Sequence, residues 1–207
     1  MTVRLEVLVE EPSAEQALRI LLPRIVGDEV TFALHPFQGK PDLLRKLPDR
    51  LRAYARWVDG ADTRIVVLID EDRQDCAQLK ARLEKAAAEA GLTTKSLAGP
   101  GEPFAVLNRL AVEELEAWFF GDCAALRAAY PRVPTNPEYR APYRHPDRIA
   151  GGTWERLERV LQDAGYHRGG LQKVGAATAV ATHMDPARNA SPSFREFCGG
   201  LRALVAP

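Results

Sequence analysis

The chain lacks the residue patterns that mark several large classes of protein. Its 207 residues hold only three cysteines, Cys76, Cys123 and Cys198, far apart and without paired spacing. That excludes a disulfide framework and the common zinc patterns, and it agrees with a reducing compartment. The histidines, His35, His145, His167 and His183, show no HExxH or comparable spacing, so a zinc centre is not expected. No apolar run approaches the roughly 18 to 20 residues needed to cross a bilayer. The N-terminal "MTVRLEVLVEEPSAEQ" has neither the long apolar region nor the small-residue cleavage site of a secretory leader. The expected location is therefore the cytoplasm, with no membrane partner. A glycine-rich phosphate loop, G-x-x-x-x-G-K-[ST], is also missing, and Gly39-Lys40 is only a fragment of one.

Net charge is absent too: 28 Lys+Arg balance 28 Asp+Glu, so the chain as a whole is no generic binder of polyanions. The balance is uneven along its length. From Ala124 onward there are 12 Lys+Arg against 7 Asp+Glu, which leaves 16 against 21 ahead of it. A basic back half suits nucleic acid, or reflects only differently solvated faces.

What is present is alternation. "TVRLEVLVE", "EVTFALHPF" and "TRIVVLID" read as strands, with "LTTKSLA" and "PFAVLNRL" as shorter candidates. Between them, "SAEQALRILLPRI" has apolar residues at helical spacing behind a Ser13/Gln16 capping-box pattern. "PDLLRKLPDRLRAYARWVDG" is a helix that Pro48 kinks or splits, with Leu43, Leu44, Leu47, Leu51, Tyr54 and Val58 on one side. "DCAQLKARLEKAAAEAG" is a helix stopped by Gly91. Such alternation predicts an α/β fold, Rossmann-like, with a mostly parallel sheet flanked by helices. "AVEELEAWFFGD" and "CAALRAAY" then read as helices, and "PRVPTNPEYRAPYRHP", with five prolines in sixteen residues, as an extended loop. Three further helices follow, in "TWERLERVLQDAG", "GLQKVGAATAVATHM" and "SPSFREFCGGLRALV". The expected organisation is a core over residues 1–130 and a helical appendage over 131–207 packed on it.

The chemistry lies where strands end. Glu10 and Glu11 close the first strand; Asp70, Glu71 and Asp72 close the third. In an open α/β sheet the carboxyl edge is where ligands bind. Asp70 and Asp72 are two apart, so in extended backbone they share a face, with Glu71 turned away. Carboxylates gathered out of water repel one another unless a cation compensates them, and oxygen ligands suit Mg²⁺. The alternative is a solvated turn whose acids cap the next helix, a task open to Asp75.

A strand ending in Glu, a helix, and a later strand ending in Asp-x-Asp resembles the Toprim fold of topoisomerases, bacterial primases and overcoming-lysogenization-defect nucleases. Over nearly its full length the chain resembles an uncharacterised bacterial family of small Toprim-like proteins, the domain of unknown function 4276. The residues that carry this are "LVEEPSAEQALRILLP", "HPFQGKPDLLRKLPDRLRAYARWV", "VVLIDEDRQDCAQLKARLE", "VEELEAWFFGD" and "HRGGLQKVGAATAVATHMDPARNASPSF". The resemblance implies Glu10 as general acid/base and Asp70 and Asp72 as the metal-binding pair for Mg²⁺ or Mn²⁺. Glu15 and Glu116 would extend the acidic pocket, with Glu113 and Glu114 competing for the place of Glu116, although "VEELEAW" is amphipathic and such glutamates ordinarily face water. The pattern departs from Toprim at Glu11, where a glycine is usual, which adds a carboxylate and changes the turn.

Basic candidates complete the picture. Lys40 follows the second strand and is either a phosphate contact at the same edge or a solvated lysine. Arg168 and Lys173 lie in a segment that matches the family and are candidate phosphate or nucleic-acid contacts. Tyr139, Arg140, Tyr143 and Arg144 interleave aromatic and basic residues, which serves stacking on single strands or packing on the core. The leading expectation is a metal-dependent phosphodiester-cleaving protein acting on DNA or RNA, in phage defence beside a separate ATPase subunit. Its alternative is a non-catalytic, metal- or phosphate-binding regulatory or partner-docking module; a homo-oligomer is compatible with either.

Overall fold

The structure, a computed structural model, describes residues 3–58, 63–72, 74–134, 141–149 and 151–206, with the side chains of Trp57 and Val58 also outside that description. Four strands form one sheet in the order β2-β1-β3-β4: β1 (Arg4–Val9), β2 (Thr31–Pro36), β3 (Thr63–Asp70) and β4 (Val106–Ala111). All adjacent pairs are parallel, in registers such as Val9↔Pro36, Val9↔Leu68 and Asp70↔Ala111. The fold is Rossmann-like. β1 and β3 sit in the middle and are apolar on both faces, which is why each reads as a continuous run rather than an alternating one.

Helices cover both faces. Leu8, Ile65, Val67 and Ile69 pack under α2 (Lys40–Val58) and α3 (Cys76–Glu89). Leu5, Val7, Val9, Val66 and Leu68 face the other way, into a core shared with α1 (Pro12–Val26), α4 (Glu116–Gly121) and α5 (Cys123–Ala129). That core continues through α6 (Thr153–Asp163), α7 (Lys173–His183) and α8 (Pro192–Val205). The C-terminal helices thus finish the core on which the sheet depends. One buried carboxylate interrupts β1: Glu6, 3% exposed, is satisfied by Arg4 Nε at 2.7 Å and His35 Nε2 at 2.5 Å.

Local chemistry explains how the appended helices are fixed. Small residues on α7, Ala176, Ala177 and Ala181, let it approach α1 closely. From α1, Arg24 donates to the carbonyls of Ala181 and Met184 at 2.9 and 3.0 Å, capping groups that a helix end leaves unpaired. Asp122, 2% exposed, caps α5 through Ala125 N–H and accepts two bonds from Arg188 at 2.9 and 2.8 Å. Burial alone would raise the Asp122 pKa, but Arg188 and the backbone donors outweigh it and hold the carboxyl below its usual range. α8 lies so close to β4 that a Cβ at Gly200 would meet Leu107 Cδ1 at 2.7 Å.

Several expectations are corrected. "AVEELEAWFFGD" is not one helix: Ala111 ends β4, a loop follows in which Glu113 has φ +61° and is tied to Glu71 and Asp72, and α4 starts only at Glu116. "LTTKSLA" contributes a single bridge, Thr94↔Val106, rather than a strand. No capping box forms at α1: Glu11 is the N-cap, Pro12 follows it, and Ser13 lies inside the helix, donating to Glu11 Oε1 at 2.8 Å. α2 continues through Pro48 without a split. The proline-rich loop packs where it is described, with Tyr143 buried and stacked on Phe120 at 4.6 Å; Tyr139 and Arg140 lie outside the described residues. Among the described residues no helix is long and apolar enough to cross a membrane.

Asp122→Ala leaves Arg188 without its main partner and α5 without its cap, at a buried position. We expect a loss of about 2–4 kcal/mol in unfolding free energy by urea denaturation at pH 7, shrinking as pH falls through the carboxylate range.

Candidate functional site

In the order β2-β1-β3-β4 the chain leaves β1 toward β2 and then returns to place β3 on β1's other side. The carboxyl ends of β1 and β3 therefore border the topological switch point, the crevice where open α/β sheets bind ligands. Glu10 follows β1 and Asp70 ends β3, and the two meet: Asp70 N–H donates to Glu10 Oε2 at 3.2 Å. Burial is the chief cause of a raised Glu10 pKa, with Asp72 adding to it and Lys40 and two backbone donors opposing. Asp70 is raised well above its usual range, by burial first and then by the charges of Glu116, Glu10, Asp72 and Glu11.

Asp72 reaches this cluster by a different route from the one its spacing suggests. β3 ends at Asp70, and Asp72 has φ +52°, so the two carboxylates do not share an extended face. The turn is held by Asp72 N–H on Glu113 O at 2.8 Å, and it delivers Asp72 Oδ2 to Lys40 Nζ at 2.7 Å. Glu71 does turn away, as expected. Its carboxylate accepts from Cys76 Sγ at 2.8 Å and from Glu113 N at 2.9 Å, tying the loop after β3 to the loop after β4.

Lys40 is not a solvated lysine. It is 5% exposed at the start of α2 and also donates to Glu71 O at 3.0 Å. Nor does Glu116 face water: it is 2% exposed in the first turn of α4, and burial pushes its carboxyl up to about 7 against the pull of Lys173. Lys173 opens α7, lies 3.6 Å from Glu11 Oε1 and stands over the Trp154 ring at 5.1 Å. Burial works against its charge, but Glu116, Glu11, Glu114 and Asp70 together raise its pKa. The structure therefore brings Glu10, Asp70, Asp72 and Lys40 together on one side, and Glu116, Glu11 and Lys173 on the other, with Asp70 coupled to both groups.

Two candidates fall elsewhere. Glu15 is paired with Arg19 at 2.6 Å along α1. Arg168 is exposed, and among the described residues it makes no contact with the acidic cluster. Sequence reasoning missed Trp154 and offered Glu114 only as a competitor of Glu116. Glu114 accepts from Thr153 N, Thr153 Oγ1 and Trp154 N at 2.8, 2.9 and 2.8 Å, anchoring the start of α6 beside Lys173. No local signal marks either residue, because their partners are about forty residues away in sequence.

Carboxylate oxygens are the donor type for a hard divalent cation, and the mutual repulsion of Glu10, Asp70 and Asp72 is what such a cation relieves. Among the described residues, however, no three His, Cys, Asp or Glu side chains converge as a metal-holding group. The arrangement fits Mg²⁺ only in its sparse mode, with one or two carboxylates and the remaining positions filled by water or phosphate oxygens. Glu10 and Asp70 are linked through the Asp70 backbone N–H, which brings the two residues, though not their carboxylates, into contact.

Folded protein holds the Glu116 proton more tightly than unfolded chain. This group therefore favours folding fully below the ordinary carboxylate range, and the advantage is lost as pH rises through about 7. Glu116→Gln should raise unfolding free energy by about 1–2 kcal/mol at pH 8 and leave it unchanged near pH 4, measured by urea denaturation at both values.

No curated protein and no solved structure matches the chain. A family model does, the domain of unknown function DUF4276, over residues 9–202. That span contains Glu10, Lys40, Asp70, Asp72, Glu116 and Lys173, and with nearly the whole chain matched, this protein belongs to the DUF4276 family.

Proposed function

We propose that this chain is a Toprim-like, Mg²⁺- or Mn²⁺-dependent phosphodiester-cleaving enzyme acting on DNA or RNA. The observation that carries the reading is the meeting of Glu10 and Asp70 at the β1/β3 switch point, joined by the Asp70 N–H on the Glu10 carboxylate, beside a buried lysine. When bound, the metal supplies charge neutralisation at the phosphate and a more acidic water. The protein's own contributions follow from its geometry. Glu10 and Asp70 would hold the cation. Lys40, fixed by Asp72 and Glu71 O, keeps an ammonium at the strand edge where a phosphate oxygen enters. Lys173, braced by Trp154, offers a second positive charge across the crevice. Glu116, pushed up to about 7, exchanges a proton at neutral pH, which suits a general acid or base better than an ordinary glutamate does. By resemblance, the setting is phage defence beside a separate ATPase subunit.

A second reading is favoured by one observation. Lys40 already neutralises Asp72 at 2.7 Å, so the cluster is partly compensated without a metal. In this reading the chain is a regulatory or partner-docking module that binds metal or phosphate without turnover.

The two readings separate in a nuclease assay on single- and double-stranded DNA and RNA with Mg²⁺ or Mn²⁺. Glu10→Gln and Asp70→Asn should each reduce cleavage by about a hundredfold or more while the thermal unfolding temperature stays near wild type. Cleavage that survives both substitutions removes the catalytic assignment. Calorimetric binding of Mn²⁺ with no cleavage of any substrate favours the module.

A further inference from the structure

At the far edge of the sheet, a groove of about 520 Å³ runs along β4 between α3 and α8. Its floor is the strand itself. Ile65 N donates to Ala105 O and Glu71 N to Ala111 O, so the odd-numbered residues of β4 turn their backbone groups toward β3. The even-numbered residues turn theirs outward. At Val106 the outward groups are used, by Thr93 O at 3.1 Å and Lys95 N at 3.0 Å. Further along, only Asn108 O is taken, by Lys80 Nζ. The N–H groups of Asn108 and Leu110 and the carbonyl of Leu110 have no hydrogen-bond partner among the described residues. A covered strand edge thus becomes an open one after a single bridge.

Two side chains on the same floor are also incomplete. Asn108 is 1% exposed, and its Nδ2 is bonded to Glu84 Oε1 at 3.1 Å while its Oδ1 has no partner. Arg109 has a buried, unpartnered Nε and only a 3.8 Å contact with the exposed Glu196. Buried polar atoms left unpaired are costly, and both belong to residues that line one groove. Asn108 faces α3 and Arg109 faces α8, so an added strand would present alternate side chains to each.

We propose that this groove binds an extended peptide segment as a fifth strand on β4, with an Asp or Glu side chain of the peptide on Arg109. The exposed backbone edge recognises the main chain, and the undersatisfied guanidinium selects the charge. Cys76 and Val112 line the same groove, next to the loops that Glu71 ties together at the candidate site. An occupant would therefore press on the elements that position Asp70 and Asp72.

The test is a phage-displayed random octapeptide library panned on the full chain, followed by synthesis of the enriched peptides. Peptides bearing Asp or Glu should bind and shift backbone amide resonances of Asn108, Leu110 and the facing residues of α3 and α8. N-methylation at alternate peptide positions should weaken binding about tenfold or more, with little effect at the positions between. Arg109→Gln should weaken acidic peptides about tenfold, and Leu110→Pro, which removes an outward N–H and no β3 bond, should do the same to all of them. Failure to enrich any binder, resonance shifts elsewhere, or N-methylation effects without alternation would overturn the proposal. So would a dimer, seen by sedimentation and abolished by Leu110→Pro, which would assign the edge to a second copy of the chain.

Discussion

Carboxylates crowded together and partly withdrawn from water at the end of two neighbouring strands are the constraint on which this structure turns. Asp70 closes a strand buried on both faces, and its carboxyl meets the fields of Glu116, Glu10, Asp72 and Glu11. Such a group is tolerable only if positive charge or a proton is brought to it. The chain supplies both. Lys40 arrives from the start of α2, Lys173 from the start of α7, and Glu116 keeps a proton near neutrality. Each comes from a different element, so the cluster is compensated only when the whole chain is folded.

That dependence gives the C-terminal helices a role beyond coverage. α7 packs on α1, and Arg24 ties its last carbonyls down, so the first residue of α7 is held beside the first turn of α1. Lys173 can then reach Glu11, the N-cap of that turn. The same helix rests on residues of the core shared by the sheet. A segment that looks appended in sequence therefore delivers one of the two lysines of the candidate site, half-buried beside Glu11.

How much of this could be read from the sequence depends on the range of each interaction. The strands and their acidic ends were legible, because an apolar run that stops abruptly at "LVEE" or "LIDED" marks a strand leaving the core. Asp75 was legible as the cap of α3, and it accepts from Ala77 N and Gln78 N as the spacing suggests. Two-residue periodicity misled at Asp72, since the strand ends before it and a left-handed turn does the placing. The burial of Lys40 and Glu116 was not legible at all. A lysine after glycine and a glutamate among alternating polar residues look solvated until distant loops close over them. "AVEELEAW" misled for a related reason: its first residue ends β4, and distant contacts of Glu113 with Glu71 and Asp72 hold the next few residues out of a helix.

The loop geometry also bears on what kind of site this is. Asp72 and Glu113 both adopt positive φ, +52° and +61°, although neither is glycine, and they lie in the two loops that Glu71 ties together. Backbone of this kind costs of order 1–3 kcal/mol per residue and persists only where its surroundings enforce it. Here the enforcing contacts are Asp72 N–H on Glu113 O, Glu113 N–H on Glu71, and Lys40 on Asp72. A merely solvated turn would relax, because water would satisfy the same carboxylates without strain. The loops after β3 and β4 are instead locked to each other, and the lock sets where Asp72 and Lys40 stand. Rigid placement of charge at a sheet's ligand-binding edge is the property a phosphate-handling site requires, whether or not it goes on to break a bond.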